Sequence, residues 1–149
     1  PARMQRLVAG ALVASAPPGS ELWLDGGHNA EGGRAVAAAL GDLEERVSRP
    51  LVLIVGMLST KDVAAFVQNF VGLALRLVAV PLRQEKGLPA EAIAATARGL
   101  GLAADTATDV PDALARIGGL GLDPPPRILI TGSLYLAGDV LAANGTPPR

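Results

Sequence analysis

Trp23-Leu24-Asp25-Gly26-Gly27-His28-Asn29-Ala30-Glu31-Gly32 follows a strand-like apolar run and opens into a helix-like pattern. In an open α/β sheet the carboxyl end of a strand, where it feeds a helix N-terminus, is where ligands bind. Gly26 and Gly27 let the backbone approach a ligand closely, and the run holds the sole histidine of the chain. Asp25, His28 and Asn29 add an acceptor, a titratable ring and an amide. A second segment, Ile130-Thr131-Gly132-Ser133-Leu134-Tyr135-Leu136-Ala137-Gly138-Asp139, has the same strand–turn–helix character, and the pair is far more specific than either alone.

Working outward, Asn29 is placed to cap a helix carrying Val36, Ala39, Leu40 and Leu43 at helical spacing. Upstream, a strand over Arg6–Ala14 and another over Leu22–Leu24 flank a Pro17-Pro18-Gly19-Ser20 turn and are expected to pair as a hairpin. The Met4–Ala16 stretch also imitates a signal peptide, with an arginine, an apolar run and Ala14-Ser15-Ala16, but the strand-and-turn reading is preferred. Downstream, Leu51-Val52-Leu53-Ile54-Val55 is a continuous branched run, the mark of a strand covered on both faces. Gly56-Met57-Leu58-Ser59-Thr60 then turns into a helix with Val63, Phe66, Val67 and Phe70 on one stripe. Leu75–Val80 reads as a strand, Leu82–Leu88 as a polar loop, and Pro89 as the start of a helix with Ile93, Ala97 and Leu100. Asp109 caps another helix, Arg127–Thr131 forms the last strand, and Ser133 opens a final helix that ends near Asn144-Gly145. The alternation predicts a doubly wound, mostly parallel, Rossmann-like α/β domain over residues 1–149. Helices cover both faces, and the hairpin adds an antiparallel edge.

Composition narrows the function. Thirteen basic against fourteen acidic residues, with no basic block, argue against nucleic-acid binding by bulk charge. Aromatic residues at 3% leave no stacking platform for single strands. The absence of cysteine rules out thiolate metal sites and a cysteine nucleophile, and fits a cytoplasmic protein. No apolar run approaches the ~18–20 residues of a membrane span. The glycine run lacks G-x-G-x-x-G spacing, which disfavours a dehydrogenase. Thr131-Gly132-Ser133-Leu134-Tyr135 lacks the second glycine of the G-x-S-x-G elbow, which disfavours a serine hydrolase.

Four segments in order, Pro1-Ala2-Arg3-Met4, Leu24 to Gly32, Gly56-Met57-Leu58-Ser59-Thr60-Lys61-Asp62 and Thr131-Gly132-Ser133-Leu134-Tyr135, together resemble the C-terminal domain of folylpolyglutamate synthase. The bacterial members are often also dihydrofolate synthases, within the Mur ligase superfamily. The chain departs from that pattern at Gly27, where alanine is usual, and at Ala30, where proline is usual. Neither change removes a functional group.

The resemblance implies an ATP-dependent ligase that activates a carboxylate of dihydropteroate or folate as an acyl phosphate and joins it to the amine of L-glutamate. The expected cofactors are ATP and Mg2+, with the P-loop and the metal ligands on an N-terminal domain that is this domain's partner. No metal site is read in this chain, and no G-x-x-x-x-G-K-[ST] occurs in it, so it is expected to be a fragment of a longer enzyme and inactive alone.

By the same resemblance Arg3 points at the nucleotide phosphates, against a plain surface arginine. Asp25 accepts from the ribose, against an Asx-turn residue. His28 faces the phosphates and the incoming glutamate, against a structural turn residue, and Arg3 and His28 are the expected catalytic pair. Asn29 either touches the nucleotide or, as preferred, caps its helix. Ser133 and Tyr135 fall beside the glutamate site, though Ser133 could equally be an N-cap and Tyr135 a packing residue. Lys61 and Asp62 read as structural members of a capping sequence. The alternatives in function are a non-catalytic nucleotide-binding or interaction module, or the equivalent domain of another Mur-type amino-acid ligase.

Overall fold

Branched apolar runs alternate with amphipathic stretches, and each run becomes a strand covered by the stretch that follows it. A computed structural model describes residues 3–145, so Pro1 and Ala2 of the opening motif lie outside the described residues. The strands are β1 (Gln5–Leu7), β2 (Glu21–Leu24), β3 (Leu51–Val55), β4 (Arg76–Ala79), β5 (Ala104–Thr106) and β6 (Arg127–Thr131). They form one six-stranded sheet in the order β1-β2-β6-β3-β4-β5, parallel except for the antiparallel β1–β2 pair.

The helices are α1 (Ala11–Ser15), α2 (Ala30–Arg46), α3 (Val63–Val67, continued by a 3-10 turn over Gln68–Phe70), α4 (Ala90–Gly99), α5 (Val110–Gly118) and α6 (Leu134–Asn144). Alternate strand residues feed two cores. Ile128 and Ile130 pack with α1, α5 and α6 on one face, whereas Leu129 packs with α2, α3 and α4 on the other. Every residue of β3 and β6 is buried. Among the described residues no helix is long and apolar enough to cross a membrane.

The expected strand over Arg6–Ala14 is corrected. The chain leaves the sheet after Leu7, turns at Gly10 with φ +119°, and forms α1. The cause is a long-range link that periodicity does not encode. Asn144, buried on α6, accepts hydrogen bonds at Oδ1 from the backbone N–H groups of Leu12 (2.8 Å) and Val13 (3.3 Å), and donates from Nδ2 to the carbonyl of Ala9 (2.8 Å). These bonds satisfy amides at the start of a helix too short to persist alone. The strand β5 had no apolar run to announce it: it is three residues with Asp105 in the middle, held by β4 and by the Arg76–Asp105 ion pair.

Close packing of α2 on α3 sets the height of the loop before α2. A Cβ on Gly33 would stand 2.6 Å from Asn69 Nδ2 and 3.2 Å from Phe66 Cδ1. That room lets Asn69 donate to the Ala30 carbonyl at 3.1 Å. Phe66 and Phe70, both fully buried with ring centroids 5.4 Å apart, anchor the short α3 in the core.

At the amino edge of the sheet Arg127 is almost wholly buried. It pairs with Glu21 (3.0 Å) and Glu44 (3.5 Å) and donates to the Val47 carbonyl (3.0 Å). Arg49 reaches the other oxygen of Glu21 at 3.2 Å. Burial would raise the Glu21 carboxyl, but the Trp23 indole N–H and Arg127 outweigh it and hold Glu21 below its usual range.

Two expectations follow. A depressed carboxyl contributes stability that is present above its unfolded pKa and is lost as pH falls through its folded one. Glu21→Gln, which leaves Arg127 short of a counter-charge, should therefore cost ~2 kcal/mol at neutral pH. Its denaturant-unfolding free energy should also fall less steeply than wild type as pH drops below the carboxylate range. Asn144→Ala should cost ~2 kcal/mol by stranding buried amides and should speed hydrogen exchange at Leu12 and Val13 before it affects β3 or β6. Uniform acceleration across the sheet would refute a local latch.

Candidate functional site

In-register pairing brings the two motifs seen in sequence together at the carboxyl edge. Leu24 is level with Ile130, and Ile130 with Ile54, so the loops after β2, β6 and β3 leave the sheet side by side. The helix after β6 packs on the opposite face from those after β2 and β3, which opens a crevice where the loops diverge. Asp25 N–H donates to the Ile130 carbonyl (3.0 Å), and Gly132 N–H donates to the Gly27 carbonyl (2.9 Å), clipping the first motif to the second. Gly132 has φ +108°, and a Cβ there would lie 2.6 Å from the Gly56 carbonyl oxygen and 2.9 Å from Met57 Cγ. Only glycine fits where the three loops cross.

Each loop presents its side chains in turn. Asp25 is 4% exposed and accepts from Gly27 N–H at 3.3 Å, as an Asx turn does. Burial pushes its carboxyl up, against the opposing pull of the Gly27 and Met4 N–H groups and the charge of Arg3. Arg3 is exposed and precedes Met4, which holds a left-handed φ of +38°. Asn29 caps α2, accepting from Gly32 N–H at 2.8 Å, so its oxygen serves the helix. Ser133 is buried and caps α6, accepting from Tyr135 N–H at 3.0 Å.

His28, Lys61, Ser133 and Tyr135 line one recess of about 190 Å³, with Leu58, Gly132 and Leu134 completing its wall. His28 Nδ1 is buried and makes no hydrogen bond among the described residues. Thr131 Oγ1, buried at the end of β6, is likewise unpartnered. Tyr135 is half exposed at the rim and does not pack into the core. Asp25 and Asn29 do not line the recess; Arg3 approaches Asp25.

Lys61 is the residue that the sequence reading undervalued. Asp62 alone caps α3, accepting from Ala65 N–H at 3.0 Å, which leaves Lys61 in the recess wall. The available signal was its place in a loop at the carboxyl edge of a buried strand. An ammonium, an imidazole with an unpartnered buried nitrogen and the first turn of α6 make the recess receptive to anions. Among the described residues no cluster of three or more His, Asp or Glu could hold a metal ion.

A search of curated proteins gave no match. Among solved structures, a folylpolyglutamate synthase of Mycobacterium tuberculosis, described as complexed with ADP and AMPPCP, is similar at 26% identity and a TM-score of 0.79. The alignment covers 100% of this chain and 33% of that one. A bifunctional folylpolyglutamate synthase/dihydrofolate synthase from Yersinia pestis, complexed with AMPPNP and Mn ion, shares the fold at 24% identity and a TM-score of 0.74, over 96% of this chain and 31% of its own. E. coli FolC in complex with DHPP and ADP does so at 19% and 0.73, over 95% and 30%. The chain thus spans about a third of the length of these proteins. The family model described as Mur ligase, glutamate ligase domain matches residues 3–134, a span that holds the recess residues except Tyr135, and the chain belongs to that family.

Proposed function

We propose that this chain is the C-terminal domain of a longer, two-domain cytoplasmic ligase that uses ATP and Mg2+ to join L-glutamate to folate or dihydropteroate. The observation that carries the reading is the recess itself: His28, Lys61 and the Ser133 turn converge at the sheet edge where an α/β domain takes its ligands. The likeness to the M. tuberculosis enzyme, described with ADP and AMPPCP, supports a nucleotide at this edge.

In this reading ATP supplies the phosphoryl group that activates the substrate carboxylate. Arg3, exposed beside Asp25, places its planar guanidinium against the phosphates. Asp25, fixed by its turn, accepts from the ribose. His28 has an unpartnered nitrogen to offer charge that builds during transfer, and stabilising that charge raises kcat more than it tightens ground-state binding. Lys61 and the amides of the first turn of α6 hold a carboxylate of glutamate, with Tyr135 at the rim. Asn29 acts as the cap that fixes the loop. The partner is an N-terminal P-loop domain, which closes on the recess and carries the metal ligands.

In the two-domain enzyme His28→Ala should lower kcat by roughly 100-fold, the scale for removing one preorganised electrostatic group, with an unchanged melting temperature. A destabilised variant with normal turnover would overturn the assignment. Lys61→Ala should behave differently, raising KM for glutamate about tenfold, as expected for one charged hydrogen bond, while kcat stays near wild type. An unchanged KM would remove Lys61 from the glutamate site.

A further inference from the structure

A second cavity, of about 450 Å³, lies elsewhere, and its origin is topological. β3 and β4 send their helices α3 and α4 to one face. On the other face, among the described residues, no helix of their own covers the carboxyl ends of these strands between α5 and α6. The gap is lined by buried Leu12, Val80, Val110, Leu136 and Val140. Its volume falls in the range of small-molecule sites, about 300–1,000 Å³. It shares no lining residue with the His28 recess.

Charge decides what fits. The amino end of α5 points at this cavity but is already neutralised. Asp109 Oδ1 accepts from Asp112 N–H at 2.8 Å, Pro111 has no N–H, and Asp112 itself sits in the first turn, accepting from Thr108 N–H at 2.9 Å. An incoming phosphate or carboxylate would meet those carboxylates in place of open amides. On α6, Asp139 lines the same cavity and makes no ion pair or hydrogen bond among the described residues. The second oxygen of Asp109 is equally unengaged. Against these two carboxylates the lining holds one guanidinium, Arg83, and all three residues are exposed at the rim. The wall is apolar and the rim carries a net negative charge.

We infer that this cavity binds a small organic monocation, a primary ammonium on a compact apolar body, with the body against Val80, Leu136 and Val140 and the ammonium toward Asp109 and Asp139. The net negative rim disfavours a dicarboxylic amino acid, and no lining residue is shared with the His28 recess, so this is a second ligand site.

The test titrates the chain by amide-resolved NMR with 2-phenylethylammonium, its neutral isostere 2-phenylethanol and the anionic 3-phenylpropionate. The expected result is saturable shifts at Val80, Val110 and Val140 with the ammonium. The alcohol should bind about tenfold more weakly, as expected for loss of one charge-assisted contact, and the carboxylate should not bind. Asp109→Asn with Asp139→Asn should bring the ammonium down to the affinity of the alcohol. Asparagine is as good an N-cap as aspartate, so α5 should persist, and an unchanged melting temperature checks this. Equal affinity for ammonium and alcohol, preference for the carboxylate, an unaffected double variant or no saturable shift would each overturn the proposal. None of these outcomes bears on the ligase reading, which rests on other residues.

Discussion

The crossing of three loops at Gly132 is the constraint on which the site depends. Its Cα stands so close to the Gly56 carbonyl and to Met57 that no side chain can be accommodated, and its N–H reaches the Gly27 carbonyl. Those contacts tie the ends of β2, β6 and β3 to one another. The imidazole of His28, the ammonium of Lys61 and the amino end of α6 come from segments about thirty or seventy residues apart in sequence, yet they share one wall. A recess assembled from distant segments requires supporting elements that do not yield, and a backbone hydrogen bond beside a close glycine contact is a stiff support.

The opposite edge of the sheet is built by different means. There the buried Arg127 and its partners Glu21 and Glu44, with Arg49 on Glu21, close the amino ends of β2, β3 and β6 with paired charge. Stability is invested at the amino edge in paired groups, whereas the carboxyl edge keeps groups without partners, the Nδ1 of His28 and the hydroxyl of Thr131. An unpartnered buried polar atom destabilises a fold unless something else binds it. The His28 and Thr131 atoms lie at the edge where open α/β sheets take their ligands.

Much of this was legible in the chain. The runs Leu51–Val55 and Arg127–Thr131 announced buried strands because a strand covered on both faces needs no polar alternation. Asn29, Asp109 and Ser133 announced helix starts because each side chain caps locally. What was hidden depended on distant partners. Residues Ala11–Ser15 lie in an apolar run too short to announce a helix, and Asn144, on another helix, supplies the acceptor for amides of its first turn. β5 is a strand because β4 offers it a ladder. Lys61 faces the recess because Asp62 is enough to cap α3, and nothing in the local sequence ranks one neighbour above the other.

The two outermost strands have a further consequence. β1 and β5 are each three residues long, and each carries a charged residue at its centre, Arg6 and Asp105. An intruding strand from another molecule would find a ladder of three residues beside a charge that it must leave solvated, so it gains few hydrogen bonds for the chain entropy it loses. A sheet with such an apolar interior is prone to grow sideways into fibrils. Here growth is checked at both margins of the sheet by short strands with a central charge.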